Sequence, residues 1–436
     1  MSARYLLPRH RLTISGVVTL VCLGVTLGDR AVQAQSDYPM WRGANRDAHA
    51  PDCPIATDWK AHPPRLLWKT EGLGKGFASV SISNGRLLTT GNTPDSQSVI
   101  AVDIATGEVA WTSKITDEAP KHGYEGSRST PAIDGDRCYV VGSNGEVACL
   151  DMADGKIRWM RNFKEWNGRM MSGWGFSESP LVDGEHVLCT PGGPDAMMVC
   201  LDKMTGKEIW RSAIPSSAEG GKPGAGYSSI IVSEAAGVKQ YVTLVGRGVI
   251  GVRASDGTLL WGYSRVANGT ANIPTPIAVV DYIFFSSGYA TGSALLKLSA
   301  KRGCVEAEEE YFLDGKTLQN HHGGMVRVGD YIYMGHGHNN GFPACVEWKT
   351  GKIQWGGKIR GPGSGSAAVI YVNGQLIFRY QSGEVALIQA TPDEYRLNGT
   401  FTPEVVASPS WSHPVVLDGK LYLREQNTLM CYDITP

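Results

Sequence analysis

The chain of 436 residues carries 41 basic and 42 acidic side chains, for a formal net charge of −1. This balance gives no electrostatic reason to expect nucleic acid or an anionic membrane surface as a partner. Its 54 glycines and 12 tryptophans, with short apolar runs broken by Asp-Gly and Thr-Gly pairs, favour one large all-β repeat architecture over the two or three domains that the length alone would suggest.

Residues 1–34 have the pattern of a cleavable signal peptide. Three arginines precede an apolar run from Leu12 to Leu27, and small residues stand at the last and third-last positions before cleavage after Ala34. The run is shorter than the ~20 residues that a membrane span needs. We therefore expect an exported protein, periplasmic or extracellular, with residues 35–63 as an N-terminal extension and no transmembrane segment after signal removal.

A pattern of about 50 residues repeats along the rest of the chain. "VIAVDIATGEVAW" ends at Trp111, and similar stretches end at Trp159, Trp210 and Trp261, at intervals of 48, 51 and 51 residues. With the more diverged copies that follow, we count eight. Each copy has an alternating apolar strand, a Gly-centred turn and a second strand with an aromatic residue, and a further hairpin precedes it. Four strands per period predict an eight-bladed β-propeller of four-stranded antiparallel blades over residues 64–436.

The two ends of this repeat region complement each other. The last copy stops at Asp433 without its fourth strand, whereas "PPRLLWKT", with Trp68, stands alone ahead of the first complete hairpin. We predict that this N-terminal strand completes the eighth blade and closes the ring, which leaves no open sheet edge. The recurring tryptophans occupy one position of the repeat, so we interpret them as packing between blades and not as cofactor ligands.

The repeat also resembles a known family. The pattern "AxDxxTGxxxW", seen as Ala101, Asp103, Thr106, Gly107 and Trp111, is similar to the repeat of pyrroloquinoline quinone (PQQ) dehydrogenases and of PQQ-repeat scaffold proteins. The stretches "WRGANRD", "NHHGG" and "GHGHNNGF" further resemble a bacterial family of exported PQQ-like propellers. The resemblance implies the propeller fold. Since enzymes and scaffolds share this repeat, it does not select a function.

Eight cysteines follow the predicted signal peptide, an even number that would suggest disulfides in an exported chain. Four of them occupy one repeat position in different blades and should be small buried side chains, too far apart to pair: Cys149, Cys200, Cys345 and Cys431. The sequence leaves open the disulfide state of the other four: Cys53, Cys138, Cys189 and Cys304.

Hairpin reversal predicts which loops can form a site. In every blade, the loop that enters the first strand and the loop between the second and third strands lie on one face, whereas the Asp-Gly and Thr-Gly turns lie on the other. Polar and aromatic residues that converge at an axial mouth are what a binding site needs. The candidate ligand-binding residues in these loops are Arg128, Trp174, Glu178, Tyr227, Arg247, Asn272, His321, His322, His336, His338, Asn339 and His413.

Four of the ten histidines fall within eighteen positions of the predicted sixth blade. His321 and His322 enter its first strand, and His336 and His338 lie in its second-to-third loop. Neutral imidazoles from two loops can bind zinc or copper, with His322, His336 and His338 as the candidate metal ligands. A metal-free polar pocket and a set of hydrogen-bonded structural histidines would have the same spacing, so all three hypotheses stay open.

Two functional classes remain. The first is a monomeric, non-catalytic module that binds a protein, peptide or glycan at the axial face. The second, implied by the resemblance, is a PQQ- and calcium-dependent alcohol or sugar dehydrogenase, with Glu178 and Asn272 as calcium ligands by position. The chain has neither an adjacent Cys-Cys pair nor the long insertions that cap the quinone in those enzymes, which favours binding over catalysis.

Overall fold

The computed structural model describes residues 37–215, 219–301, 304–357 and 359–436, so the predicted signal peptide lies outside the described residues. These residues form eight four-stranded antiparallel sheets. First strands of neighbouring sheets contact one another, which places them innermost in a ring. The predicted eight-bladed β-propeller is confirmed. Among the described residues, no helix combines the length and apolar character that crossing a bilayer would need.

The first described strand, β1 (Arg65–Thr70), precedes seven blades that each consist of four consecutive strands. Blades 1 and 2 consist of β2 (Ser81–Ser83), β3 (Arg86–Thr93), β4 (Ser96–Asp103), β5 (Val109–Lys114), β6 (Ala132–Asp134), β7 (Arg137–Val141), β8 (Glu146–Asp151) and β9 (Ile157–Asn162). Blades 3 and 4 consist of β10 (Leu181–Asp183), β11 (His186–Cys189), β12 (Met198–Asp202), β13 (Glu208–Ser212), β14 (Ile231–Ser233), β15 (Gln240–Val245), β16 (Gly248–Arg253) and β17 (Leu259–Tyr263).

The second half of the ring repeats this arrangement. Blades 5 and 6 consist of β18 (Ile277–Val279), β19 (Tyr282–Ser287), β20 (Gly292–Lys301), β21 (Cys304–Asp314), β22 (Met325–Val328), β23 (Tyr331–His336), β24 (Phe342–Glu347) and β25 (Ile353–Trp355). Blades 7 and 8 contain β26 (Ala367–Val372), β27 (Gln375–Tyr380), β28 (Val385–Gln389), β29 (Leu397–Phe401), β30 (Val415–Leu417), β31 (Lys420–Glu425) and β32 (Thr428–Asp433). The part of the chain that the structure describes also has three short 3-10 helices in connections: Phe163–Trp166, Ala235–Gly237 and His338–Asn340.

The two ends of the chain close the ring. Strand β1 pairs with β32, and the eighth sheet has the order β1-β32-β31-β30. Arg65 stands opposite Asp433, and Trp68 stands opposite Cys431. The predicted completion of the eighth blade by the N-terminal strand is therefore confirmed.

Most of the repeated tryptophans hydrogen-bond to the neighbouring blade, in line with the predicted packing between blades, whereas the indole of Trp261 donates to Gln240 of its own blade. The indole nitrogens of Trp68, Trp111, Trp159, Trp210 and Trp355 each donate to a main-chain carbonyl of the next blade, at 2.8 to 3.2 Å. The turn glycine of that next blade lies against the ring, because a Cβ atom added at Gly206 would be only 2.6 Å from Trp159. A Trp and a Gly one repeat apart thus form a single packing unit.

All eight cysteines of the described residues are free thiols, and only Cys304 is exposed. The four repeat cysteines are buried, as the repeat pattern predicted. The sequence left open the disulfide state of Cys53, Cys138 and Cys189. In the structure these thiols are also buried and unpaired.

Residues 38–50, which we call the axial plug, lie across the innermost strands of the ring. Tyr38 bridges to Ile82 of blade 1, and the carbonyl of Pro39 accepts a hydrogen bond from the amide of Ile133 in blade 2, at 2.8 Å. On the opposite side, Tyr371 of blade 7 exchanges main-chain hydrogen bonds with the plug at 2.9 Å. The segment therefore spans the channel that an empty ring would leave.

Two buried arginines fix the plug to further blades. Arg46 donates to the carbonyls of Ser179 and Pro180 in the entry to blade 3, at 2.6 and 2.9 Å. Arg42 donates to the carbonyl of Met325 in blade 6. The sequence predicted an extension here but not its position, because this segment lacks the repeat from which the blades were recognised.

Candidate functional site

A cavity of about 380 Å³ lies above the axial plug, and loops of all eight blades contribute to its wall. These are the loops that enter first strands or join second to third strands, which are the loops that the hairpin topology selects. Eight of the twelve candidate residues line the cavity: Arg128, Trp174, Tyr227, His321, His322, His338, Asn339 and His413. The other four candidates, Glu178, Arg247, Asn272 and His336, are not among its lining residues.

Three histidines of blade 6 form one side of the cavity. The ring centroids of His321 and His322 are 4.3 Å apart, and those of His321 and His338 are 4.1 Å apart. His321 Nδ1 lies 2.7 Å from the hydroxyl of Ser366, and its Nε2 lies 3.2 Å from the hydroxyl of Tyr289. The cluster is thus held by neighbouring blades as well as by its own.

Burial keeps these rings uncharged. Desolvation, with a smaller contribution from neighbouring imidazoles, lowers the pKa of His321 to about 2 and that of His322 to about 3. Desolvation and the cation of Arg42 lower the pKa of His413 to about 3. At neutral pH these side chains therefore offer one donor and one acceptor each and no positive charge.

The three histidines of the metal hypothesis are not arranged as a metal centre. His336 is buried, and its Nδ1 accepts a hydrogen bond from the amide of Gln319 at 3.2 Å. His338 Nδ1 accepts from the amide of Tyr289, also at 3.2 Å. Within the described ranges, no group of three or more His, Cys, Asp or Glu side chains has the geometry to hold a metal ion.

The remaining candidates outside the cavity have local contacts. Glu178 is buried and accepts from the amide of Thr190, and desolvation raises the pKa of Glu178 to about 7. The side-chain amide of Asn272 donates to the carbonyls of Val245 and Gly246, at 3.0 and 3.1 Å. Arg247 donates to the carbonyl of Gly220 at 3.4 Å. Asn272 therefore stabilises the loop between the second and third strands of blade 4 instead of facing the cavity.

Aromatic rings form the part of the cavity wall next to His322. Trp411 lies 5.0 Å from Phe77, 4.9 Å from Tyr124 and 4.9 Å from His322, measured between ring centroids. Its indole nitrogen donates to Gln381 at 2.8 Å, which fixes the orientation of the ring. Trp411 was not predicted as a site residue, although it stands two residues before a candidate, His413, in an entry loop.

Arg128 adds a cation to this side. Its guanidinium lies 5.4 Å from the ring centroid of Phe77 and donates to the carbonyls of Gly123 and Gly126, at 2.8 and 3.0 Å. Burial lowers the pKa of Arg128 to about 10, so the group remains charged at neutral pH.

The axial plug forms the floor of the cavity through Trp41 and Arg42. The rings of Trp41 and His413 are 4.4 Å apart. Neither plug residue was predicted as part of the site, and "WRGANRD" was the one signal that could have indicated them. The residues that line the cavity include arginine, histidine, aromatic and small polar side chains, and no aspartate or glutamate is among those described.

Comparison with known proteins places this molecule in a family. A family model described as "Outer membrane protein assembly factor BamB" matches residues 55–171 and 164–372. The chain therefore belongs to this family of PQQ-repeat β-propellers. The outer membrane protein assembly factor BamB of Kangiella koreensis is 28% identical over 115 residues, which are 25% of this chain and 26% of that protein. The alignment thus spans about a quarter of the length of that relative.

Solved structures show the same fold. BamB from Moraxella catarrhalis superposes with a TM-score of 0.58 at 12% identity, covering 85% of this chain and 97% of that chain. Quinohemoprotein alcohol dehydrogenase from Comamonas testosteroni gives a TM-score of 0.63 at 12% identity, covering 92% of this chain and 81% of the other. At such low identity these likenesses establish the architecture alone, which both a binding protein and an enzyme can have.

Proposed function

We propose that the protein is an exported, monomeric propeller that binds a ligand in its axial cavity. The cavity combines aromatic rings with a few convergent polar groups, which is the usual composition of a small-molecule site. One observation carries the proposal: the cavity combines the rings of Phe77, Tyr124 and Trp411 with the guanidinium of Arg128 in a single wall to which all eight blades contribute.

Two kinds of ligand are consistent with this wall, a glycan and a peptide or protein segment. The ring of Trp411 offers a stacking surface for a sugar, and the surrounding serine, asparagine and glutamine side chains can bind hydroxyl groups. The relatives named as outer membrane protein assembly factors support a protein partner. They also support export to the periplasm or beyond, in agreement with the signal-like N-terminus.

The alternative is a PQQ- and calcium-dependent dehydrogenase. Calcium requires six to eight oxygen ligands, most of them carboxylates and carbonyls. No described carboxylate lines the cavity. Of the positions expected to bind calcium, Glu178 is buried outside the lining with one oxygen accepting from Thr190 and the other, Oε2, without a partner, and the amide of Asn272 donates to Val245. A carboxylate base for the alcohol proton is missing from the lining for the same reason. The residues present do not fit this cofactor pair, so we assign no step to it.

Ligand screening tests the proposal. Protein purified without an affinity tag is titrated with a panel of neutral and acidic oligosaccharides and a panel of peptides, and binding is followed by tryptophan fluorescence. We expect saturable binding that Trp411→Leu abolishes. Trp348→Leu is the control, because Trp348 is more buried than Trp411 and lies in the β24–β25 turn on the opposite face. Binding to no member of either panel, or equal binding by both variants, would contradict the proposal.

A further inference from the structure

A second cavity, which we call the lateral cavity, lies beside the axial one on the same face and has a volume of about 670 Å³. Its walls come from the connections that enter blades 2 and 3, from the loop between β7 and β8, and from the 3-10 helix Phe163–Trp166. Five charged side chains line it: Asp117, Glu118, Glu146, Lys164 and Arg169.

The charges of the lateral cavity are accessible and of both signs. All five of these residues except Glu146 are exposed, and none of the four exposed side chains forms an ion pair with another described residue. The axial cavity differs in character, because aromatic rings prevail in its wall and no described carboxylate lines it. A ligand that filled both cavities would need an apolar group at one end and charges of both signs at the other.

A thin partition made of segments 122–124 and 172–176 separates the two cavities. Trp174 lines the axial cavity, whereas the preceding Gly173 lines the lateral cavity. The two segments pack closely, since a Cβ atom added at Gly123 would lie 3.0 Å from Trp174, and the amide of Gly123 donates to the carbonyl of Gly173 at 3.4 Å. The cavities are therefore next to each other in space.

Gly173 lies on the exposed side of this partition without a structural need for glycine. Its φ is outside the left-handed region, and a Cβ atom added there would meet no atom within 4 Å apart from its chain neighbours. A side chain at this position would enter the open space where the two cavities adjoin. Its absence leaves that border free for a ligand that extends from one cavity into the other.

We infer that the ligand is an extended polypeptide segment that crosses Gly173; this inference rests on the proposed binding function. An aromatic or other apolar side chain of the segment would lie in the axial cavity, and charged side chains of both signs would lie in the lateral cavity. A polypeptide carries such groups at a spacing of about 3.3 Å per residue. A glycan fits less well, because it has no aromatic side chains and its ionised groups are mostly negative.

Random peptides displayed on phage test this assignment. Phage that bind the wild type are depleted on Trp411→Leu, so that the peptides retained depend on the axial cavity. We expect their sequences to combine an aromatic residue with acidic and basic residues a few positions away. Since salt screens exposed charges, binding of the corresponding synthetic peptides should weaken as ionic strength rises.

Two pairs of variants then locate the bound segment. Gly173→Phe should lower the affinity of the selected peptides about 10-fold or more, because the ring blocks the border between the cavities. Gly262→Phe is its control, since Gly262 is also exposed and has no positive φ, but lies in β17 and lines neither cavity. Lys164→Glu should lower the affinity about fivefold, whereas Lys207→Glu, in the β12–β13 turn of the opposite face, should leave it unchanged. Urea unfolding of each variant verifies that it folds.

The outcomes separate this inference from the proposed function. Selected peptides whose binding is weakened by Gly173→Phe and by Lys164→Glu, but not by the controls, support the inference. Peptides that depend on Trp411 but bind both variants as tightly as the controls overturn it and leave the binding function standing. A selection that yields no peptide dependent on Trp411 also overturns it, and the oligosaccharide panel then decides whether the axial cavity is a binding site.

Discussion

The buried histidines predict a marked loss of stability in mild acid. The pKa values of His321, His322 and His413 are about 2, 3 and 3 in the folded protein, against 6.5 for an unperturbed imidazole. Above pH 6.5 neither the folded nor the unfolded chain protonates these rings. Below pH 6.5 the unfolded chain takes up protons that the folded chain excludes, so the free energy of unfolding falls as pH falls.

The size of the effect follows from the proton count. For each proton that the folded chain excludes, the free energy of unfolding falls by about 1.4 kcal/mol per pH unit, or about 2 kcal/mol between pH 6.5 and pH 5. Glu178 acts in the opposite direction, since its pKa is raised from 4.5 to about 7 and the folded chain holds a proton that the unfolded chain has released. The three protons that the histidines exclude outweigh the one that Glu178 holds. The free energy of unfolding therefore falls by about 4 kcal/mol over this interval. The pKa values of His336 and His338 are also lowered, which increases the loss.

Urea unfolding at several pH values between 6.5 and 5 measures this slope. His413→Gln removes one excluded proton, so the slope should decrease by about 1.4 kcal/mol per pH unit. His62→Gln is the control, because His62 is exposed and its ring is solvated in both the folded and unfolded chain. If the wild type and His413→Gln lose stability in parallel as pH falls, whatever their difference at pH 6.5, His413 does not exclude a proton in the folded state.

Two further predictions concern groups away from the cavity. Ellman's reagent should modify only Cys304 in the folded protein and all eight thiols of the described chain after unfolding in urea; fewer than eight would reveal a disulfide. Glu425→Gln should cost about 3 to 5 kcal/mol of unfolding free energy, because it leaves the buried cation of Arg379 without its ion-pair partner. Glu394→Gln, which breaks the exposed pair with Arg396, should leave the urea midpoint nearly unchanged, and equal effects of the two substitutions would contradict the argument.

The fold could be predicted because the strand pattern of one blade recurs eight times along the sequence. Each repeat encodes the same strand pattern, and the contact between Trp159 and Gly206 shows why the repeat persists: a ring in one blade requires the absence of a side chain in the next. Even the closing strand was predictable, since one missing strand and one unpaired strand had to meet. The axial plug could not be found in this way, because its hydrogen-bond partners are distant in sequence and share no pattern with it.

The face of the site was predictable, but the direction of individual side chains was not. Ser177 and Ser179 line the cavity, whereas Glu178 between them is buried against Thr190. Successive side chains of an extended segment point to opposite sides. A loop can therefore be correctly predicted to border the cavity while an individual side chain in it points away. His336 differs from His338 in the same way, since its ring is bonded to the amide of Gln319 outside the cavity.

The construction of the cavity also ties ligand binding to the integrity of the ring. Its wall contains residues from every blade, and its floor belongs to the segment that precedes the strand that closes the ring. A ligand in the cavity therefore contacts groups that come together only when the ring is closed and the plug is in place. Since a ligand that binds only the folded state stabilises it by mass action, occupancy should raise the stability of the whole propeller and not of one blade alone.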